Sequence, residues 1–537
     1  MTNPPDVMKL WGKSSLAKGE IWRPSMGPPL YKPSILHNLD AAFICGSLWD
    51  LETPGFRRSM TDGIGLADEH LCRRFHQQMT GLHDVGKASP PFVDMRDELR
   101  RIAEAAGFAF SPNLDADAYH GIVSTWFLYQ ALTSDKLGYN AAPEVARVIA
   151  GIVGGHHGKF VLPNEVDDTI GDPDGTTYSY SGTRRQLRTI GDEVWDDARW
   201  RMARTIVDAL GGPIDLSGIS PDAISLVNMA AIITLSDWIS SDDEKFPMTG
   251  GDLDLAAYIA ALPNTASSVT ESLGFRQRGN LEPLHGNPLE SFEWLCHFEN
   301  GPNALQRAGI SMANSIAHPC MIIIEDAMGN GKTELALLLS YILMHVGAER
   351  GLFYGLPTQA MSNAMLKRIV PACQMLYTKR RFNLHLSHSD AYFIPAYIKL
   401  RKNAWNKQTG GVADGWFASK GKTLIADATV GTIDQMLMGI LQAKHNYVRM
   451  YGLHGKVSIL DEIHSYDAYM RRLIVEAIRW QRANRCSVIV LSATLPKSQR
   501  RELVQAFGGD PSSIDDTVGY PRITHVDSNG KVRCYAV

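Results

Sequence analysis

The sequence predicts a protein of two parts, an all-α part followed by an α/β part built on a parallel sheet. Across residues 36–262, apolar side chains recur at three- and four-residue spacing, as at Ile122, Val123 and Trp126, which is typical of packed helices. After residue 303, short β-rich runs alternate with helical stretches, a pattern that predicts right-handed crossovers between parallel strands. Residues 263–303 collect proline and glycine among polar residues, as a domain boundary does.

Size and composition indicate a folded globular protein. The 537 residues exceed what one core can fill, and 45% are hydrophobic and 20% charged. The net charge of −4 does not indicate a histone-like binder, so any nucleic-acid surface must be local. The seven cysteines are scattered without a C-x-x-C pair, which argues against a disulfide framework and a zinc ribbon. Because the N-terminal residues lack the apolar run of a signal peptide, we expect a cytoplasmic protein with no membrane contact.

Strands are predicted at six places in the second part, each followed by a helical or irregular stretch. Because ligands of a parallel sheet bind at the carboxyl ends of its strands, motifs at those ends supply the candidate site residues. The predicted strands are Met321–Glu325, 352–356, 383–387, 423–426, 457–460 and 487–491.

Side chains suited to metal binding recur through the first part, around the dipeptide His83-Asp84. Imidazole nitrogens suit borderline transition metals and a carboxylate can bridge two ions, so an aspartate among several histidines predicts a dinuclear hydrolytic centre. A single histidine is more often hydrogen-bonded or solvated, so the prediction depends on the whole set. The set is His37, His83, Asp84, His120, His156, His157 and Asp237.

The ligand types also bear on the ions and on catalysis. The histidine-rich set disfavours magnesium and predicts two divalent transition-metal ions, without choosing among Fe, Mn, Co or Ni. Lys87, one turn after the dipeptide, is a candidate to stabilise negative charge on phosphate oxygens, which makes Asp84 and Lys87 the predicted catalytic residues of this part. His70, His76 and Asp40 are expected to have structural roles.

The run IIIEDAMGNGKTELALLL predicts a phosphate-binding loop between a strand and a long helix. Backbone amides at the helix N-terminus would cradle phosphates, Lys332 would reach the β- and γ-phosphate oxygens, and Thr333 would coordinate Mg²⁺. The strict pattern fails at its first position, where Asp326 stands in place of glycine. The loop residues are Gly329, Asn330, Gly331, Lys332 and Thr333.

A second nucleotide motif, SILDEIHSYD, has an apolar strand that delivers Asp461 and Glu462 to its carboxyl end. Asp461 would hold Mg²⁺ through water, and Glu462 would position or deprotonate the attacking water, which makes Glu462 a predicted catalytic residue. With the phosphate loop, this motif predicts a site for ATP with Mg²⁺. Gln306, upstream of the loop, is a candidate adenine contact, although an isolated glutamine is most often a surface residue.

The motifs of the second part resemble those of superfamily 2 helicases. DEIH and the later run VIVLSATLP follow the phosphate loop in the order that these helicases have, which implies a RecA-like fold. LPTQA and TVGTIDQ resemble the motifs with which the first helicase domain grips a nucleic-acid backbone. The resemblance assigns that role to Pro357, Thr358, Gln359, Gly431 and Thr432.

The first part resembles the HD phosphohydrolase superfamily in its order of histidines and aspartates. HDVGK followed by Pro-Pro-Phe and by GGHHG resembles the CRISPR-associated nuclease branch of that superfamily. The resemblance implies that Asp84 is shared between two ions. One ion would be held by His37, His83, Asp84 and Asp237, and the second by His120, His156, His157 and Asp84.

Together the two motif sets resemble the CRISPR-associated helicase-nuclease of type I systems. The resemblance implies a role in antiviral defence, with recruitment by the RNA-guided Cascade complex and metal-dependent cleavage of single-stranded DNA. In full-length relatives it also implies ATP-driven 3′–5′ translocation and unwinding.

The same resemblance implies a domain plan. An HD domain is expected at 1–270, a linker at 271–303 and the first RecA-like domain at 304–515. Residues 516–537 are expected to begin a second RecA-like domain that the chain does not complete, so the motor is expected to be incomplete.

Two other functions stay open at this point. HD sites also hydrolyse small nucleotides, and the α/β part is also compatible with a DNA-binding remnant without turnover. Basic and aromatic residues interleaved across 365–425 leave a similar choice, between a surface for single-stranded nucleic acid and core aromatics beneath a solvated basic face.

Overall fold

The computed structural model describes residues 4–14, 31–115, 118–171, 180–275, 281–296, 301–347, 349–377, 381–405, 410–419 and 421–537. The chain divides into two compact units. We call Met1–Asp50 with Ser59–Ser272 the helical unit, and Leu51–Arg58 with Leu273–Val537 the α/β unit. The predicted fold class, a helical part followed by a parallel-sheet part, is confirmed.

Two long apolar helices, α1 and α11, lie at the centre of the helical unit. Both are buried around most of their circumference, and α1 packs against α3, α11 and α12. As a result, polar side chains on these helices are carried into the interior. The helices of this part are α1 Ser34–Asp50, α2 Pro54–Ile64, α3 Glu69–Gly81, α4 Pro90–Val93, α5 Asp97–Ala105, α6 His120–Thr133, α7 Pro143–Gly154, α8 Pro163–Ile170, α9 Arg184–Thr189, α10 Glu193–Ala209, α11 Ala223–Ser240 and α12 Leu255–Ser272.

A short antiparallel ribbon, β1 Trp11–Ser14 and β2 Tyr31–Pro33, accompanies these helices and was not predicted. In the part of the chain that the structure describes, α11 alone has the length and apolar composition of a membrane span. Most of α11 is buried inside the helical unit, and it carries Asp237. These are the properties of a core helix.

The α/β unit is built on a nine-stranded sheet in the order β11-β10-β3-β9-β8-β4-β7-β5-β6. The strands from β3 to β9 pair in parallel, and β10 and β11 are antiparallel. The strands are β3 Met321–Glu325, β4 Gly351–Leu356, β5 Arg381–Ser387, β6 Gly410–Val412, β7 Ala428–Thr432, β8 Lys456–Leu460, β9 Val488–Ser492, β10 Arg522–Val526 and β11 Val532–Ala536.

Helices cover both faces of this sheet. Along β3, Ile322 and Ile324 join one apolar cluster, whereas Met321 and Ile323 join another on the opposite face. A strand that is apolar on both faces is typical of a parallel sheet buried between helix layers. The helices are α13 Pro288–Cys296, α14 Ala304–Ala313, α15 Lys332–Val346, α16 Gln359–Leu376, α17 Pro395–Trp405, α18 Asp434–Ile440, α19 Asn446–Leu453, α20 Ala468–Ala483 and α21 Lys497–Ala506.

Five of the six predicted strands are present within two residues of their expected bounds. The prediction at 423–426 is wrong, because Lys422–Ile425 forms a 3-10 helix and β7 begins only afterwards. The buried Lys456 donates from Nζ to the backbone carbonyls of Leu424 and Ala426. These carbonyls are therefore bonded to a lysine instead of to a neighbouring strand.

Three structural observations bear on the expected domain plan, which stays a prediction. Residues 522–526 and 532–536 belong to the nine-stranded sheet, in which β10 pairs antiparallel with β3 along its whole length. The expected linker at 271–303 contains α13, whose Phe292 and Leu295 are buried against the sheet's helix layer. The segment Leu51–Arg58 groups with the α/β unit, although it lies within the first 270 residues.

A buried ion pair holds the segment Leu51–Arg58 in the α/β unit. The Arg350 Nε atom lies 2.9 Å from Glu52 Oε2, and both side chains are at most 2% exposed. Arg350 also donates to the carbonyls of Tyr451 and His454, and its guanidinium lies 5.0 Å from the ring centre of Phe56. Since removing one partner leaves a buried charge uncompensated, such a pair is costly to break.

We expect Glu52→Gln to lower the free energy of unfolding of the α/β unit by about 3–5 kcal/mol, because Arg350 would stay buried without its counter-charge. The measurement is urea denaturation of the full chain. Glu476→Gln is the control, since its pair with Arg479 is exposed and should contribute less than about 1 kcal/mol. An equally small effect of Glu52→Gln would contradict this account.

Candidate metal centre and nucleotide site

The candidate metal centre lies inside the helical unit, where five elements meet. His37 comes from α1 and Asp237 from α11, the two central helices. The dipeptide His83-Asp84 follows the C-terminus of α3, and His120 is the first residue of α6. His156 and His157 follow α7, so all seven predicted ligands are carried by helices or by the residues that follow them.

The carboxylate of Asp84 faces histidines on both of its sides. Its Oδ2 atom lies 3.3 Å from Nε2 of His37 and 3.3 Å from Nε2 of His83. Its Oδ1 atom lies 3.3 Å from Nε2 of His120 and 3.4 Å from Nε2 of His156. Each oxygen therefore faces a different pair of imidazoles, which is the arrangement that a bridging carboxylate requires.

The remaining two predicted ligands complete the two sides. Asp237 Oδ1 lies 3.2 Å from Nε2 of His37 and 3.7 Å from Nε2 of His83. Nε2 of His157 lies 3.0 Å from Nε2 of His120. The ligand atoms thus form two groups that share Asp84, namely His37, His83, Asp84 and Asp237, and Asp84, His120, His156 and His157.

The buried polar atoms of this cluster fit a metal ion. Nε2 of His37 and Nε2 of His83 have no hydrogen bond of good geometry, although they lie within reach of carboxylate oxygens. Nδ1 of His83 contacts the Thr80 carbonyl at 2.6 Å, and Nδ1 of His156 contacts the Val153 carbonyl at 2.8 Å. A carbonyl at Nδ1 leaves Nε2 to face the centre, as in histidines that bind metals.

The charges of the cluster keep both carboxylates ionised. Burial acts to raise the pKa of Asp84, but Lys87 and His83 outweigh it and hold that pKa well below its ordinary value. Burial is likewise outweighed at Asp237, whose pKa is lowered by His37 and His83. Burial lowers the pKa of His37 to about 4, so this imidazole is neutral and can offer a lone pair. At His83 burial also acts to lower the pKa, yet the carboxylates of Asp84 and Asp237 raise it to about 9. A metal ion bound at His83 would displace the proton that this imidazole then carries.

Two lysines lie beside the cluster. The Nζ atom of Lys87 lies 2.6 Å from Asp84 Oδ2 and 3.3 Å from the Gly12 carbonyl. Lys13, on β1, donates to the Ser241 carbonyl at 3.0 Å, and burial lowers its pKa while Asp237 acts to raise it. Sequence reasoning missed Lys13, because it lies 70 residues before His83 and no motif marks it.

The three polar residues that were expected to be structural lie outside both groups. Asp40 forms a buried ion pair with Lys32 and accepts a hydrogen bond from the Tyr258 hydroxyl at 2.6 Å. Nδ1 of His76 contacts the Cys72 carbonyl at 2.8 Å, and His70 is exposed.

The phosphate loop joins β3 to α15, as its motif predicts. Gly329 and Gly331 have φ angles of 82° and 75°, which only glycine adopts readily, so both glycines are required by the backbone. The Nζ atom of Lys332 donates to the carbonyls of Asp326 and Ala327 at 2.6 and 2.9 Å. Lys332 therefore lies within the curve of the loop, where phosphate oxygens would replace these carbonyls.

Asp326, the residue that departs from the loop pattern, takes part in the loop structure. Its Oδ1 atom accepts hydrogen bonds from the Ala327 amide at 2.7 Å and from Asn330 Nδ2 at 3.0 Å. The side chain thus links the start of the loop to Asn330 and has a structural role there.

A cavity of about 620 Å³ adjoins the loop, and its lining includes Lys332, Thr333, Asp461 and Glu462. Asp461 accepts a 2.8 Å hydrogen bond on Oδ2 from the hydroxyl of Tyr354, which is fully buried on β4. Burial raises the pKa of Asp461, and the hydrogen bond from Tyr354 partly opposes that rise. Sequence reasoning missed Tyr354, because a tyrosine inside a buried strand looks like an ordinary core residue.

Glu462 has a backbone conformation that is rare outside glycine, with φ at 50° and ψ at 44°. Its Oε2 atom lies 3.3 Å from Nδ1 of His464. That nitrogen also lies 3.1 Å from the hydroxyl of Ser492, the first residue of the SAT motif. Backbone strain of this kind clusters at functional sites, and here it accompanies a carboxylate at the edge of the cavity.

Gln306 lies against the phosphate loop but is already engaged there. Its Oε1 atom accepts from the Asn303 amide at 2.9 Å, and its Nε2 atom donates to the Gly331 carbonyl at 3.3 Å. Gln306 lines the cavity and is 2% exposed, so the expected adenine contact stays a prediction.

The two motifs expected to grip nucleic acid lie at the same end of neighbouring strands. Leu356, which precedes Pro357, pairs with Thr432 across β4 and β7. Thr358 caps α16, and Gln359 donates to Ser389 at the surface. Gly431 and Thr432 are both buried, so their expected contact with nucleic acid stays a prediction.

The aromatic residues between 365 and 425 divide between core and surface. Phe382, Tyr397 and Phe417 are at most 2% exposed and pack in the core. Tyr392 and Phe393 are 44% and 79% exposed and are available for a surface role, and Trp416 is partly exposed. Of the basic run, Lys379 and Arg380 lie outside the described residues.

The fold and the two sites define a class of protein, a helical domain with a two-sided histidine–aspartate centre joined to a RecA-like domain with a phosphate loop. Residues 11–246 match the family described as "Cas3, HD domain". The helical part of the chain therefore matches the HD domain of the Cas3 proteins, and the chain as a whole is similar to CRISPR-associated fusions of an HD domain and a helicase-type domain.

Similarity to characterised relatives extends over nearly the whole chain. It is 32% identical to the CRISPR-associated endonuclease/helicase Cas3 of Thermus thermophilus, over 96% of this chain and 53% of that protein. Identity to the Escherichia coli K12 protein of the same description is 27%, over 98% of this chain and 58% of the relative. The chain thus spans about half the length of the curated relatives it matches.

Solved structures have the same fold. A crystal structure of T. fusca Cas3 with AMPPNP has a TM-score of 0.80 at 26% identity, covering 99% of this chain and 56% of that one. A chain in the structure titled "CRISPR RNA-guided surveillance complex, pre-nicking" has a TM-score of 0.66 at 24% identity, covering 99% of this chain and 54% of that one.

We expect Asp84→Asn to weaken metal binding by more than about 10-fold at both groups, because both lose the charge of their shared carboxylate. The measurement is titration of metal-free protein with Mn²⁺, followed by elemental analysis of the bound ions. His70→Gln, an exposed histidine of the same unit, is the control and should bind ions as the unchanged protein does. Two ions held by Asp84→Asn at unchanged affinity would contradict the assignment.

Proposed function

We propose that the chain is a nuclease with a helicase-type motor domain, acting in CRISPR-based antiviral defence in the cytoplasm. The observation that carries the proposal is the convergence of six ligand-grade side chains around Asp84. The similarity of the chain to the Cas3 proteins supports single-stranded DNA as the substrate and an RNA-guided Cascade complex as the partner. We do not favour a hydrolase of small nucleotides, which would have no use for the helicase motifs of the α/β unit.

In this proposal the helical unit cleaves the phosphodiester. Two divalent ions of Fe, Mn, Co or Ni, held by the two groups, would provide Lewis acidity that lowers the pKa of water and neutralises the phosphate. Asp84 stays ionised and belongs to both groups of metal ligands, since each of its oxygens faces a separate pair of histidines. Lys87 balances the charge of Asp84 and presents an ammonium to the phosphate oxygens.

The α/β unit would bind ATP with Mg²⁺ and grip the DNA backbone. The loop amides and Lys332 would hold the phosphates, while Thr333 and Asp461 would hold the magnesium ion. Glu462 lies at the cavity edge, where it would orient the attacking water. A relative bound to AMPPNP, at 26% identity, supports this use of the cavity. Pro357, Thr358, Gln359, Gly431 and Thr432 would contact the DNA backbone.

We expect the purified chain to nick circular single-stranded DNA when Mn²⁺, Co²⁺ or Ni²⁺ is added. Asp84→Ala should reduce cleavage by at least about 100-fold, because the ligand shared by both groups is lost. Lys332→Ala is the control and should leave nicking without ATP unchanged, since it alters only the phosphate loop. A protein that holds two ions and leaves DNA intact would overturn the nuclease proposal, and preferential turnover of mononucleotides would favour the small-nucleotide hydrolase instead.

We expect Tyr354→Phe to weaken binding of ATP with Mg²⁺ about 3- to 10-fold at pH 6, with little effect at pH 8. Burial already raises the pKa of Asp461, and loss of the tyrosine hydrogen bond would raise it further, so that at pH 6 more of the carboxyl is protonated and unable to hold Mg²⁺. The measurement is calorimetry at both pH values, with ATP in EDTA as the metal-free reference. Tyr341→Phe, whose hydroxyl bonds the Glu282 carbonyl, is the matched control. Equal losses at the two pH values would exclude the hydrogen bond as the cause.

A further inference from the structure

Exposure differs strongly between the two sides of the metal centre. The side chains of His37, His83 and Asp84 are 0% exposed and that of Asp237 is 9% exposed, so this side of the centre is largely closed among the described residues. The His120 side chain is 12% exposed, and His157 is also partly exposed. The more open face of the centre is therefore the face formed by His120 and His157, which we call the open face.

An exposed aromatic ring lies on this open face. Tyr119 directly precedes α6 and is 39% exposed. The centre of its ring is 4.5 Å from that of His120 and 5.8 Å from that of His157. Tyr119 therefore borders two of the proposed ligands and also contacts solvent.

The backbone around Tyr119 leaves room for an aromatic ring. A Cβ atom built on Gly121 would lie 2.5 Å from Cε1 of Tyr119 and 2.4 Å from the Gly154 carbonyl oxygen. Only glycine at position 121 allows the ring to lie where it does, next to the close approach of α6 and α7. The position of the ring is thus built into the packing of the two helices.

We propose that Tyr119 forms a stacking subsite for a nucleobase next to the scissile phosphodiester. The inference rests on the proposed nuclease function. An aromatic side chain on a substrate-facing surface stacks on any base, because every base has a π-face, and this contact needs an unpaired base. Tyr119 would thus favour single-stranded DNA at the metal centre without reading its sequence.

The test compares two oligonucleotides in the full chain with Mn²⁺. One is a thymidine oligomer, and the other has the same backbone with abasic residues in place of the bases. The unchanged protein should cleave the thymidine oligomer with a kcat/KM about 5- to 150-fold higher, the range expected for one base stacked on an aromatic ring. Tyr119→Phe should keep this ratio, because the phenyl ring also stacks.

Tyr119→Leu distinguishes loss of base stacking from loss of folding, since leucine keeps the apolar bulk of the side chain but has no π-face. We expect it to bring the ratio close to 1, through a higher KM for the thymidine oligomer, with kcat and the bound metal content unchanged. A second readout needs no cleavage: in EDTA, quenching of a 2-aminopurine oligomer on binding should fall in Tyr119→Leu. Leu162→Ala, at an exposed apolar residue of the same unit, is the control and should change neither readout.

The outcomes distinguish this inference from the function on which it rests. If the unchanged protein cleaves both oligomers equally, or if Tyr119→Leu keeps the preference, the stacking subsite is wrong while the nuclease function stands. If the unchanged protein cleaves neither oligomer, both the proposed nuclease function and the proposed stacking subsite are wrong.

Discussion

The helical unit depends on one constraint, a fully buried carboxylate that must stay ionised. Asp84 is 0% exposed, and an uncompensated charge in an apolar interior is among the costliest features a fold can carry. The chain surrounds it with Lys87 and four imidazoles, each delivered by a helix or by the residues that follow one. The same requirement explains why the central helix α1 carries the polar side chain of His37 into the interior.

The nucleotide site of the α/β unit has a different requirement, because it must bind anionic phosphates next to two carboxylates. Its carboxylates stand at the end of β8, next to a loop whose backbone must accept anions. Burial raises the pKa of Asp461, and Tyr354 opposes that rise, whereas at the metal centre lysine and imidazoles lower the pKa of Asp84. Nitrogen-rich surroundings suit transition metals, and a site of carboxylate, hydroxyl and water oxygens suits Mg²⁺, so the two units would select their ions by ligand type.

Features that depend on short contiguous motifs could be predicted from the sequence, whereas features that depend on tertiary packing could not. The glycines of the phosphate loop and the strands leading into DEIH and SAT were predictable, because a motif and its flanking strand are contiguous. The strand expected at 423–426 was wrong, because a buried lysine 30 residues later bonds its carbonyls. Tyr354 and Lys13 have no such motif, and their roles arise from neighbours distant in the chain.

The sequence by itself determined the fold class, and it pointed to the loop and the side chains proposed to hold phosphate and metal, because these follow from periodicity and residue type. Tertiary structure alone decided that each oxygen of Asp84 faces its own pair of histidines, and that the His120 face is the more exposed one. It also decided that residues 522–536 extend the same sheet as the phosphate loop. The reason is physical: residue type sets which contacts are possible, whereas distances and exposure depend on how separate helices and strands pack.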